Sequence, residues 1–272
     1  MFLSVTYAIK VGRAYEVLVD MPLSSFLDLV ANLGYEGVEP NIADPNRFDV
    51  KSFSKALEER GLKTSAISTG LAYTTYGYSL TSKSKEHRSK AIEFMVKYCE
   101  IAYELGCNTV VIGLIRGRGG ENEDRDLLEG SVKEILDRTE HLRTTLVLEP
   151  LNRYETRIIN SVDEAAQFVE RISKEYRSRV AILFDTFHAC LEHRDPYAAY
   201  LRIKDMVKHI HIADSNRKPP GEGMIDWVKM IAIVKACGYS GFLSLECLPS
   251  PTYVDSIRKT SEMLLPILRV FT

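Results

Sequence analysis

The sequence predicts an α/β protein folded as a single (β/α)8 barrel, one domain over residues 1–272. Two features predict the class and a third favours closure. Short apolar runs rich in Ile, Val, Leu and Phe alternate with helical patterns along the chain, and such alternation implies a parallel sheet with helical crossovers. Several of these runs are apolar almost throughout, as expected of strands covered on both faces. Four later runs each deliver a carboxylate or an imidazole near their C-terminal ends. In a closed barrel of parallel strands those ends converge on one mouth, where active sites are built.

The first half offers strands at 2–8 (FLSVTYA), 37–42 (GVEPNI), 63–69 (KTSAIST) and 109–115 (TVVIGLI). The second half offers 144–150 (TTLVLEP), 180–186 (VAILFDT), 207–213 (VKHIHIA) and 241–247 (GFLSLEC). Helical patterns fall between them at 22–33, 50–60, 86–105 and 226–237, and each is followed by a glycine, Gly34, Gly61, Gly106 and Gly238. A glycine just past a helix is the usual turn into a following strand. Ser161 opens a further helix, with Glu164 at the capping-box position. Eight strands favour a barrel, although periodicity alone also permits an open sheet. A doubly wound nucleotide-binding fold is disfavoured, because no GxGxxG or Walker-type loop follows the first strand. The long irregular stretches 70–85, 116–125 and 214–225 all follow strands, which places them on the catalytic face.

Composition narrows the function. A net charge of −2 and no polybasic run leave no electrostatic footprint for nucleic acid. No run approaches the roughly 18 apolar residues that read as a membrane span, and the N-terminus does not read as a signal peptide. The five cysteines are odd in number and scattered, with no CxxC, which suggests free thiols in a reducing cytoplasm.

Glu149, Asp185, His211 and Glu246 close four successive strands. Three carboxylates and one imidazole suit Mn²⁺, Mg²⁺ or Co²⁺ better than a thiolate zinc site does. The alternative for any one of them is a carboxylate that caps the next helix. His209 and His211 point to the same side of a strand. His211, nearer the mouth, is the expected ligand, and His209 the packed, hydrogen-bonded core residue one layer below. His188 lies three residues beyond Asp185 and is read as a substrate contact rather than a ligand. His87, His141 and His193 are expected at the surface, and Trp227 in packing. Tyr73, Tyr76 and Tyr78 either wall the pocket or cover the barrel rim.

The pieces EPLNRYE (149–155), FDTFH (184–188), HIHIADSNR (209–217), GEGMIDW (221–227) and SLEC (244–247) resemble one family. It is that of the xylose isomerase-like barrels called sugar phosphate isomerases/epimerases, and the D-tagatose 3-epimerase branch is the nearest match within it. The resemblance covers essentially the whole chain. It implies a divalent metal, Mn²⁺ ahead of Co²⁺ or Mg²⁺, held by Glu149, Asp185, His211 and Glu246. It implies that Glu149 and Glu246 are the catalytic acid and base, and that Glu155, His188 and Arg217 contact the sugar. It also implies a small sugar or sugar acid as substrate, in a family where dimers and tetramers occur; the expected cytoplasmic location rests on the cysteines, and the expectation of no nucleic-acid or membrane partner on charge and hydropathy.

The implied reaction is inversion at C3 of a ketose. A metal holding the C2 and C3 oxygens polarises the carbonyl and acidifies the C3 proton. One glutamate removes it to give a cis-enediolate, and the other returns a proton from the opposite face. Aldose–ketose isomerisation moves a proton along one face, so a single base suffices there. Arg116 and Arg118 in IRGRGG add an expectation, because arginine pairs hold carboxylates in bidentate fashion. If they face the pocket, the substrate is a keto sugar acid of the 5-keto-L-gluconate/D-tagaturonate type. If they pair with Glu121, Glu123 and Asp124, they are loop residues only. The alternatives are a hydroxypyruvate- or inosose-type isomerase of the same superfamily, an apurinic-site endonuclease and a non-catalytic sugar-binding module. The endonuclease family uses a three-zinc cluster with additional histidines, against six histidines in this chain.

Overall fold

The structure, a computed structural model, describes residues 1–9, 21–119 and 124–270. Eight parallel strands run in the spatial order β3-β2-β1-β8-β7-β6-β5-β4. They are β1 Phe2–Ile9, β2 Gly37–Ile42, β3 Lys63–Thr64, β4 Thr109–Ile112, β5 Thr145–Leu148, β6 Val180–Asp185, β7 Val207–Ile212 and β8 Phe242–Leu245. The ends of this order meet where Ile67 bridges Val110, with Ile67 N–H donating to Thr109 O and Val111 N–H to Ile67 O, both at 2.9 Å. That bridge closes the sheet into a TIM barrel. The third strand is shorter than its apolar run, since 63–69 keeps ladder pairing only over Lys63–Thr64 and single bridges at Ile67 and Ser68.

Strand alternation sorts the side chains into two compartments. Ile182, Phe184, Ile210 and Ile212 point outward into the main core beneath the helices. Ala66, Val111, Val147 and Leu183 form a small apolar cluster of their own. Their parity turns them inward, as it does Glu39 and His209, so the barrel axis is part apolar and part ionic.

The helices are α1 Leu23–Asn32, α2 Val50–Glu58, α3 Gly70–Tyr76, α4 Lys85–Glu104, α5 Asp124–Arg138, α6 Val162–Tyr176, α7 Thr186–Glu192, α8 Pro196–Ile203, α9 Trp227–Ala236 and α10 Tyr253–Val270. Helix α6 starts with the expected capping box, in which Ser161 Oγ accepts Glu164 N–H at 3.2 Å and Glu164 Oε2 accepts Ser161 N–H at 3.0 Å. Its face of Val162, Ala165, Phe168, Val169 and Ile172 is buried, and each large side chain there contributes about 1.5–3 kcal/mol. The stretch after β3 is not irregular throughout. Residues 70–76 form α3, stopped by Gly77 at φ 71°, and Leu71 N–H at its start donates to Asn41 Oδ1 at 3.2 Å. Among the described residues, no helix is long and apolar enough to cross a membrane.

Candidate active site

Register brings the strand ends together. Asp185 pairs with His211 across β6 and β7. One step past β8, Glu246 N–H donates to Ile212 O at 3.2 Å, and one step past β5, Glu149 N–H donates to Ile112 O at 3.2 Å. Around the barrel wall the order is therefore Glu149, Asp185, His211, Glu246, with the two glutamates outermost. His211 Nδ1 lies 3.3 Å from Glu149 Oε1, 3.3 Å from Glu246 Oε2 and 3.9 Å from Asp185 Oδ2. One ligand atom from each of the four residues lies within 4.8 Å of the other three.

Two atoms of this group, Glu149 Oε1 and His211 Nδ1, are buried with no hydrogen-bond partner among the described residues. Buried polar groups are rarely left in that condition. Orphaned acceptors of this type, facing one another across an ion-sized gap, are what a bound divalent cation requires. The residues present therefore fit a metal. Gly113 leaves the space Glu149 needs, because a Cβ there would sit 2.7 Å from Glu149 Oε2.

Asp185 divides its two oxygens. Oδ1 caps α7, accepting Phe187 N–H at 2.7 Å and His188 N–H at 3.0 Å, while Oδ2 faces the site and accepts from Arg217 Nη1 at 2.7 Å. The helix-capping role and the site-facing role belong to separate atoms of one residue. Burial alone would raise the Asp185 pKa, but His188, Arg217 and His211 bring it down to about 2. Glu246 is likewise held below the ordinary range against burial, by His211 and Arg217.

A second group lies one layer deeper. Glu39 on β2 is fully buried, with His209 Nε2 2.8 Å from Oε2 and His211 Nε2 2.9 Å from Oε1. Ser68 Oγ donates to Oε1 as well. These three residues could also hold an ion by their spacing, but each Nε2 already has its own carboxylate oxygen, and no atom of Glu39 is orphaned. The carboxylate oxygen left without a hydrogen-bond partner among the described residues, Glu149 Oε1, belongs to the upper group. Burial would push the Glu39 carboxyl up, yet His211 and His209 hold it well below the usual range. Burial would push the His211 imidazole down, yet Glu39 and Glu246, together with Glu149, hold it well above.

Arg217 comes from the loop after β7, at φ 65°. Its guanidinium spans two carboxylates, with Nη1 on Asp185 and Nη2 on Glu246 Oε2 at 2.6 Å, and lies over the Phe187 ring at 4.9 Å. Asp214 builds the loop that presents it. The Asp214 carboxylate accepts Ser215 N–H at 2.8 Å, Gly221 N–H at 2.9 Å, Ile225 N–H at 3.1 Å and Trp227 Nε1–H at 2.9 Å. Trp227 is thus a packing residue with a second task.

A cavity opens above the carboxylates, lined by Glu149, Glu155, His188, Arg217 and Glu246, with Asn41 and Leu71 also in its wall. Glu155, His188 and Arg217 are thereby brought together with the candidate metal group. Arg116 is not. It is fully buried, and its Nη2 donates to the main-chain oxygen of Glu149, while Nε and Nη1 lack partners among the described residues. Burial lowers its pKa to about 10 against the pull of Glu149. Arg118 is exposed and lines a separate hollow at the rim with Tyr73, Lys83 and Arg157. Of its expected acidic neighbours, Glu121 and Glu123 lie outside the described residues, while Asp124, at the start of α5, lines the same hollow as Arg118. Tyr76 and Tyr78 stack on each other and pack edge-on against Phe94, away from the cavity.

Sequence reasoning did not single out Glu39 or Asn152. Asn152 is buried between Glu155 and His188. The available signal for Glu39 was an acid inside an apolar strand, at the inward parity shared with Asn41.

The model of the xylose isomerase-like TIM barrel family matches residues 27–264. The chain is 28% identical over 232 residues to a ketose 3-epimerase of Arthrobacter globiformis, covering 83% of this chain and 78% of that one. It is 24% identical over 268 residues to a 3-dehydro-D-guloside 4-epimerase of Escherichia coli, covering 91% and 97%. A crystal structure of D-allulose 3-epimerase from Methylomonas sp. in complex with D-allulose superposes with a TM-score of 0.79 at 21% identity, over 100% of this chain and 98% of that one. The chain is an isomerase of the epimerase class and belongs to the xylose isomerase-like TIM barrel family.

Proposed function

We propose that the protein is a metal-dependent sugar epimerase that inverts the carbon next to a carbonyl, a ketose 3-epimerase in its simplest form. The observation that carries this reading is the placement of Glu149 and Glu246 at the two ends of one ligand group, each within 3.3 Å of His211 Nδ1. Inversion by proton transfer requires a base on one face and an acid on the other, whereas isomerisation along one face does not. The relatives share this chemistry at different positions, since C3 of a ketose and C4 of a 3-dehydro sugar both adjoin a carbonyl.

Glu149, Asp185, His211 and Glu246 would hold the ion, and three oxygens with one nitrogen favour Mn²⁺, with Co²⁺ and Mg²⁺ as the other candidates. When bound, the ion supplies Lewis-acid polarisation of the substrate carbonyl. The chain does the rest. One glutamate removes the proton from the carbon beside the carbonyl, leaving an enediolate, and the other returns a proton to the opposite face. Arg217, His188 and Glu155 grip the sugar oxygens above. Leu71 on α3 narrows the cavity wall.

The keto sugar acid version rested on Arg116 and Arg118 acting as a pair. Arg116 is engaged beneath Glu149, so among the described residues Arg116 and Arg118 do not form a pair that could hold one carboxylate. A plain ketose is the better-supported substrate. All five cysteines are free thiols, in keeping with a reducing cytoplasm.

The test is proton exchange in D₂O, followed by NMR with the Mn²⁺-loaded enzyme and then ion removal. The panel is fructose, tagatose, psicose, tagaturonate, fructuronate and 5-ketogluconate. Deuterium at C3 with appearance of the C3 epimer supports the reading. Deuterium at C1 with an aldose product overturns it in favour of an isomerase.

A further inference from the structure

We infer that Asn152 is a positioning residue that holds His188 in one neutral tautomer, with Nε2–H aimed into the cavity as a hydrogen-bond donor to the substrate. The inference rests on reading the cavity as the sugar site.

The assignment follows from donors whose identity is not in question. The main-chain N–H of Asn152 points at His188 Nδ1 at 3.3 Å, and a peptide N–H can only donate. The Asn152 side-chain nitrogen is 2.8 Å from the same Nδ1. Its orientation is set independently at both ends of the amide. Oδ1 accepts Tyr154 N–H at 3.0 Å, and Nδ2 donates to Glu155 Oε1 at 2.9 Å. A flipped amide would place its oxygen against a carboxylate and its NH₂ against an N–H. Two donors therefore converge on Nδ1, which must carry a lone pair. The ring proton is then on Nε2.

His188 Nε2 is buried and has no hydrogen-bond partner among the described residues. It lies 3.7 Å from Glu149 Oε1 and 3.9 Å from Asp185 Oδ2, at the floor of the cavity His188 lines. His188 is thus the counterpart of His211. Glu39 engages Nε2 of His211 on the far side of the ring, which leaves Nδ1 as the atom that would ligate an ion, whereas His188 turns its Nε2–H inward. One ring is equipped to ligate and the other to donate. With two N–H groups on Nδ1, the atom His188 turns to a sugar oxygen is the Nε2–H donor.

The experiment is long-range ¹H–¹⁵N correlation on ¹⁵N-histidine-labelled protein saturated with diamagnetic Mg²⁺, with the His188 signals identified by their loss in His188→Asn. The expected result at neutral pH is a pyrrole-type Nε2 and a pyridine-type Nδ1. Asn152→Asp, nearly the same size, sets an acceptor against Nδ1. It should draw the proton there and lower kcat/KM about a hundredfold, the upper end of what outer partners of a site contribute. Asn152→Ala keeps the main-chain donor, so it should keep the tautomer and lose about tenfold. Asn152→Asp also sets a carboxylate against Glu155 Oε1, so the two roles part on the tautomer: a purely structural role lowers turnover with Nε2 still protonated, and that outcome also overturns the inference. A wild-type His188 protonated at Nδ1, or an Asn152→Asp variant whose tautomer flips without loss of turnover, overturns the inference. If Asn152→Asp does not fold, the wild-type spectrum decides alone. Absence of epimerisation by the wild type would refute the sugar-site reading while leaving the tautomer assignment intact.

Discussion

Glu39 Oε1 lies 2.9 Å from His211 Nε2, on the side of the ring opposite the three carboxylates that His211 Nδ1 faces. An imidazole can present a lone pair on one nitrogen only if the other carries the proton. Glu39 fixes which is which, because a buried carboxylate accepts and does not donate.

Glu39→Gln should therefore weaken metal binding at the upper group without touching a ligand. A glutamine can offer one oxygen and must turn an NH₂ toward either His209 or His211. The expected effect is a loss of Mn²⁺ affinity of roughly 10- to 100-fold, the range for partners that orient a ligating histidine. Calorimetric titration of the folded variant checks it. Unchanged affinity would show that the Glu39 contacts serve packing alone.

Glu149→Gln and Glu246→Gln should each reduce turnover by at least about 10²–10⁴-fold, the span attributed to a positioned acid or base, with the fold retained by circular dichroism. Solvent deuterium exchange adds a sharper readout. With one base intact, exchange can persist on one face while epimerisation stops. Near-normal epimerisation by either variant would exclude the two-base scheme.

Arg116 and Arg118 separate in the structure, and so should their variants. Arg116→Met removes a support beneath the main chain of Glu149, so it should lower kcat/KM for plain ketoses and keto sugar acids by a similar factor, roughly tenfold. Arg118→Ala touches only the rim and should leave plain ketoses unaffected. A loss confined to acids in Arg118→Ala would reinstate a carboxylate contact there, through one arginine and not two.

Much of this was legible before the structure, for physical reasons that differ by residue. Glu149, Asp185, His211 and Glu246 each end an apolar run, and parallel strands deliver their ends to one mouth. Glu39 was missed because it sits inside its run, where periodicity marks a side but not a partner. A loop position carries no information on burial, so the sequence leaves Arg116 either as a pocket residue or as a loop residue paired with nearby acids, and the chain folds it under Glu149. Helix α3 was missed because its seven residues, GLAYTTY, are too few for a helical period to show. Asn152 lies in a motif noted for its glutamates, and its role depends on His188, thirty-six residues away.

Acid should release the Arg217 loop, and Trp227, the sole tryptophan, reports it. Burial would raise the Asp214 pKa, but Trp227 Nε1–H and the N–H groups of Ile225, Ser215 and Gly221 outweigh it and hold the carboxyl below the ordinary aspartate range. A carboxyl depressed in the folded state contributes stability that is present above its unfolded pKa and is lost as pH falls through the folded one. The loop should therefore hold at neutral pH and loosen only below about pH 4, seen as a change in Trp227 fluorescence. Asp214→Asn mimics the protonated state at any pH. It leaves at least one of the four N–H groups without an acceptor, at a cost of about 1–3 kcal/mol, and it loosens the segment that places Arg217 between Asp185 and Glu246. Fluorescence of that variant at neutral pH should match the acid form of the wild type, and its KM for sugar should rise. If the variant shows wild-type fluorescence and KM at neutral pH, Asp214 does not organise the loop.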